Sequence, residues 1–75
     1  AEQGKTEQAI KHITEALRLM PYWAGAHNNL GVLLEKRGRL DEAIDHYHEA
    51  LRLNPDYGKA RNNLERALRL REKSA

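Results

Sequence analysis

Apolar residues recur along the chain at intervals of three and four. Between positions 40 and 53, Leu40, Ala43, Ile44, Tyr47, Ala50, Leu51 and Leu53 form one series, while Asp41, Glu42, Asp45, His46, Glu49 and Arg52 fill the gaps. That spacing puts the apolar set on one side of an α-helix, whereas a strand would alternate every second residue. Pro21 and Pro55 disfavour helix at the residue before them, and Gly38 supplies a helix stop. Together the periodicity and the breaks predict four helices, near residues 5–19, 24–37, 40–53 and 57–72, and no segment carries a strand pattern. Asp41 and Glu42 in the first turn and Arg52 in the last suit the dipole of the third helix, and Asp56 is placed to cap the fourth.

The pattern is also periodic at longer range. A shift of 34 residues lays Gly4, Ala9 and Ile10 on Gly38, Ala43 and Ile44, and lays Glu15-Ala16-Leu17-Arg18-Leu19-Met20-Pro21 on Glu49-Ala50-Leu51-Arg52-Leu53-Asn54-Pro55 with one mismatch. The same shift superposes Ala26, Asn28, Asn29 and Leu30 on Ala60, Asn62, Asn63 and Leu64. A fixed period of this length is the mark of a solenoid built from helix pairs. Gly31, Ala43 and Ala50 carry almost no side chain, so two antiparallel helices can approach closely there while Leu30, Leu34, Ile44 and Tyr47 fill the space around the contact.

Helix pairs with this period resemble the tetratricopeptide repeat (TPR). Counting one complete repeat as residues 24–57, Leu30-Gly31, Ala43, Tyr47, Ala50 and Pro55 stand at the family's Leu-Gly, small, aromatic, small and proline positions, and Ala9, Ala16 and Pro21 keep those roles in the preceding half repeat. His27 and Arg61 stand where the family often has Trp, and Leu34 and Leu68 where it often has an aromatic residue. The resemblance implies an all-α, antiparallel helix-pair solenoid of four helices: residues 4–23 are the second helix of a preceding repeat, 24–57 one complete repeat and 58–75 a terminal capping helix. Glu65 replaces the glycine at the position of Gly31, and Arg61, Glu65, Arg69 and Glu72 give the last helix a polar face suited to the end of a solenoid.

On this reading the first helix of the preceding repeat is missing apart from a remnant at Ala1-Glu2-Gln3, and the chain is expected to be the C-terminal part of a longer array. Ile10, Ile13 and Leu17 would then lack a neighbour and form a self-association face. The resemblance further implies a peptide-binding groove lined by Gly25, Asn28, Asn29, Val32, Glu35 and Lys36 from one helix and by Lys59, Asn62, Asn63, Arg66 and Arg69 from the next. Asn29 and Asn63, one repeat apart, would be rungs of a ladder whose amides pair with a peptide backbone, although asparagine next to Leu-Gly also serves helix packing. Asn29 and Lys59 match two positions of the carboxylate clamp found in some TPR co-chaperones. Asn63 replaces one of its basic residues, which argues against it.

Charge narrows the partner class. The whole chain carries +2, but residues 58–75 carry +4 and residues 1–57 carry −2. An acidic or C-terminal protein segment is the expected partner and a homo-oligomer the alternative. Nucleic acid is a minor candidate, because no aromatic and basic residues alternate for stacking on bases. A solvated terminal helix with cations near its end has the same composition. The chain has no cysteine, its single serine is Ser74, and its carboxylates are dispersed, which points to a non-enzyme without a cofactor; the lack of cysteine suits a reducing compartment. His46 and His48 project to different sides of a helix, and His12 and His46 are expected on the outer surface, so the histidines carry no designed metal site. Trp23 and Tyr57, at matching positions, are expected in the core of the repeat junctions. No apolar run is long enough to span a bilayer.

Overall fold

The computed structural model describes residues 2–74, with side chains from residue 4 onward. The four helices are α1 (Glu2–Leu19), α2 (Ala24–Lys36), α3 (Leu40–Leu53) and α4 (Gly58–Ser74), so each expected helix is found within three residues of its expected ends. Glu2 and Gln3 continue α1 rather than forming a remnant of an earlier helix, and Ala1 lies outside the described residues. Gly4, the repeat-mate of the turn residue Gly38, therefore lies within helix.

Neighbours along the chain are neighbours in space: α2 packs most extensively on α3, α3 on α4 and α1 on α2, and α2 also touches α4. The core runs through these contacts as Ile10, Leu17, Ala26, Leu30, Leu34, Ala43, Ile44, Tyr47, Leu64 and Ala67. Burial of a side chain such as Ile44 contributes about 1.5–3 kcal/mol. The small residues set the distance between helices. Ala43 and Ala50 are fully buried, and a Cβ on Gly31 would come within 2.8 Å of Tyr47 Cδ1 and 2.9 Å of Cζ, so the Tyr47 ring occupies the space that glycine leaves.

The α2–α3 turn is made by Gly38, whose φ of +76° lies in the left-handed region that glycine adopts without a Cβ penalty. Its N–H donates to Glu35 O and the Arg39 N–H donates to Leu34 O, each at 2.9 Å, so carbonyls left over at the end of α2 find donors. At the α3–α4 turn, Asn54 Oδ1 accepts the Asp56 N–H at 3.3 Å, and Tyr57 is the residue that precedes α4. Asp56 thus stands one position short of the cap expected of it. The ion pairs Glu15–Arg18 and Glu49–Arg52 repeat one another at the 34-residue period, but at such exposure each contributes little to stability.

Candidate protein-binding face

The expected groove lies between α2 and α4, and a continuous polar network joins the two helices there. Buried Tyr47, from α3, donates its hydroxyl to Glu35 Oε1 at 2.5 Å. The same carboxylate accepts Arg66 Nη2 at 2.8 Å and Nε at 3.3 Å, and Arg66 Nη1 donates to Asn63 Oδ1 at 3.0 Å. Asn63 Nδ2 in turn donates to Asn28 Oδ1 at 2.9 Å, and Asn28 Nδ2 reaches the Tyr57 hydroxyl at 3.5 Å. Burial, then the Glu35 carboxylate, pushes the Tyr47 hydroxyl far above its usual range, so it remains a donor. The hydrogen bond to Glu35 likewise raises Arg66 and keeps it cationic.

This network divides the expected lining residues into two sets. Asn28 is buried, and Asn28, Asn63 and Arg66 spend polar groups on one another or on Glu35. Asn29, Lys36, Lys59, Asn62 and Arg69 are exposed, Val32 is half-buried beside them, and the three cations have no ion-pair partner among the described residues. Of the two expected ladder rungs, Asn63 spends its amide on Asn28 and Arg66, whereas Asn29 is exposed. Equivalent positions one repeat apart stand side by side, whereas Asn28 and Asn63 are 35 apart, so each can aim its amide at the gap between α2 and α4. Sequence spacing alone did not reveal Glu35 as the hub; its signal was its place on α2, four residues after Gly31, where it faces the Tyr47 hydroxyl.

The expected self-association face is rearranged. Ile10 and Leu17 are buried in the common core, packed toward Leu30 and Leu34 of α2, and only Ile13 of the three is half-buried. The reason is geometric: α1 uses this side to pack on α2, so the residues expected to lack a neighbour have one. Trp23 is 48% exposed rather than core, while its repeat-mate Tyr57 is half-buried against Asn28 and Gly25.

On the opposite side of α2, a cavity of about 290 Å³ opens between α1 and α3. His27 and His46 line it, bonded to each other through their Nδ1 atoms at 3.0 Å, so His46 is half-buried and not on the outer surface as expected. Pro21 O lies 2.9 Å from His27 Nε2 and can only accept. His27 therefore donates from Nε2, and its Nδ1 accepts the Nδ1–H of His46. Burial, then the neighbouring His27, lowers the pKa of His46. Among the described residues no three His, Cys, Asp or Glu side chains converge on a point where a metal ion would fit.

Residues 24–57, the span that holds Gly31 against Tyr47, match the tetratricopeptide repeat family. The chain carries a tetratricopeptide repeat. TPR repeats generally mediate protein–protein interaction and the family is a non-catalytic module, which suggests protein partners. No curated protein matches the chain. Among the described residues no helix is long and apolar enough to cross a membrane.

Proposed function

We propose that this TPR chain is a non-catalytic interaction module that holds an extended, acidic segment of a partner protein across α2 and α4. The observation that carries this reading is the separation of charges on that face. Glu35, the acidic group at its centre, is already neutralised by Arg66, whereas Lys36, Lys59 and Arg69 stand exposed without an ion-pair partner among the described residues. The face is thus cationic toward a ligand, and Asn29 and Asn62 offer amide donors and acceptors for the ligand's backbone. Asn28, Asn63 and Arg66 act one step behind, holding α2 and α4 at a fixed separation. In this arrangement residues 4–23 serve as a second helix, residues 24–57 as the complete repeat and residues 58–75 as the cap. The exposure of Arg61, Glu65, Arg69 and Glu72 supports the last assignment.

The test is fluorescence anisotropy with labelled peptides that are acidic, neutral or basic, some with a free and some with an amidated C-terminus. Acidic peptides should bind best, with an affinity that weakens as salt is raised. Lys36→Glu with Lys59→Glu should remove the binding while far-UV circular dichroism remains unchanged. Equal binding of acidic and basic peptides, or binding that survives the double charge reversal, would refute the assignment.

A further inference from the structure

The cavity between α1 and α3 lies across α2 from the peptide face and shares no residue with it. Its volume of about 290 Å³ stands at the lower end of small-molecule sites and well above the roughly 150 Å³ that holds a benzene ring. Ile10 and Leu17 of α1 and Leu30 and Leu34 of α2, all four buried, give it apolar walls. It is not the space that one more helix of the repeat would fill. A helix standing before α1 would lie against Ile13, as α2 lies against its mate Tyr47, whereas the cavity opens beside Ile10, Thr14 and Leu17.

The polar groups of the cavity are few, and most are spent on one another. Arg39 and Glu42, exposed at its mouth, form a two-point ion pair with both bonds at 2.8 Å, so neither charge is left for a ligand. His27 is engaged at both ring nitrogens, donating from Nε2 to Pro21 O and accepting at Nδ1 from His46. That leaves His46 Nε2 and the exposed Thr14 hydroxyl, which have no hydrogen-bond partner among the described residues. The chain of bonds from Pro21 O fixes the character of this last nitrogen. With its proton on Nδ1, the neutral His46 ring has a bare Nε2 that can only accept. No buried side-chain nitrogen or oxygen among the described residues lacks a partner, so this acceptor is accessible. Burial, then His27, holds His46 below its ordinary pKa against the smaller pull of Asp45, Glu42 and Glu49, which keeps the ring neutral at about pH 7.

We propose that this cavity is a binding site for a small neutral phenol, with its ring between the apolar walls and its hydroxyl donating to His46 Nε2. Each other ligand class fits less well. An anion finds no free cation in the cavity and a cation no free carboxylate. An ether or a ketone brings an acceptor to an acceptor, and an aliphatic alcohol is a weaker donor than a phenolic O–H. The phenol oxygen can in turn accept from the Thr14 hydroxyl. The ring can arrive free or as a tyrosine side chain of a protein, and both present the same chemistry.

The test is a titration of the isotope-labelled chain, followed by amide and imidazole NMR signals, with p-cresol and with p-methylanisole, its methyl ether. For a ligand of this size a Kd on the order of 1 mM is expected for p-cresol, with shifts centred on Thr14, His27 and His46. The ether, which cannot donate, should bind about tenfold more weakly. Thr14→Phe, which fills the mouth of the cavity from an exposed position, should abolish binding of both while helicity is retained. His46→Leu, which removes the acceptor and keeps an apolar wall, should make the two ligands bind alike. N-acetyltyrosinamide separates the sources: shifts at the same residues assign the ring to a protein partner, and their absence assigns it to a free phenol. Equal binding of p-cresol and its ether by the parent chain would overturn the proposal. So would shifts centred on Leu19, Met20, Tyr22 and Trp23 instead, p-cresol binding undiminished in Thr14→Phe, or no saturable shift up to the solubility of p-cresol.

Discussion

Gly31→Ala is the substitution on which local and tertiary reasoning give opposite signs. In an isolated helix, alanine in place of glycine stabilises by about 1 kcal/mol, because the backbone loses less freedom on folding. Here the new Cβ would lie 2.8–2.9 Å from Tyr47 Cδ1 and Cζ, and closer still to Cε1. The ring has nowhere to retreat: Tyr47 is fully buried, and its hydroxyl is held 2.5 Å from Glu35 Oε1. Overpacking of this kind costs about 1–3 kcal/mol, and a ring displaced far enough to relieve it leaves a buried hydroxyl unpaired at a further cost of about 1–3 kcal/mol. After the propensity gain is set against these, a net loss of about 2 kcal/mol is expected, or a fall in Tm of about 8–16 °C for a domain of this size. Thermal and urea unfolding followed by far-UV circular dichroism measures it. In a Tyr47→Leu background, where the ring is gone, Gly31→Ala should become neutral or stabilising. A Gly31→Ala chain as stable as the parent, or an equal loss in both backgrounds, would show that the α2–α3 contact is not set by this glycine.

Three further outcomes follow from the same contacts. Glu35→Ala should cost about 1–3 kcal/mol in urea unfolding, because the Tyr47 hydroxyl loses its acceptor, whereas Glu35→Gln, which can still accept, should cost less. Gly38→Ala should destabilise by about 1 kcal/mol through the backbone alone, since no atom lies within 4 Å of the added methyl; a neutral result would mean that the turn is free to change conformation. The third concerns pH. His46 has a lowered pKa in the folded chain, so the unfolded chain binds the proton more readily, and stability contributed by the neutral ring is lost as pH falls through the unfolded value of about 6.5. The urea midpoint should fall between pH about 7.5 and 5.5, and His46→Gln should flatten that slope; an unchanged slope would place the titration elsewhere.

The four helices, their order and their breaks were legible in the chain because they depend on local information. A period near 3.6, proline exclusion and glycine turns act over a few residues, and the 34-residue repeat doubles each signal. Close approach at Gly31, Ala43 and Ala50 was legible for a related reason: a position without a side chain has one packing use, and its spacing states where. What the sequence by itself did not determine is which side of each helix meets which neighbour. Ile10 and Leu17 look unpartnered in a list of apolar positions and are buried because α1 is turned about its axis onto α2, leaving Ala9, Ile13 and Ala16 half-covered. Asn28 and Asn63 meet across a gap that no spacing within one helix describes, and the Glu35 carboxylate is claimed by Tyr47 and Arg66 from two other helices. His46 lies on the helix side that periodicity reads as outer, yet it bonds His27 at the cavity that opens between α1 and α3. Local preference is encoded within a turn or two of helix, whereas the rotation of a helix and the pairing of its polar groups are fixed only when all four helices compete for the same core.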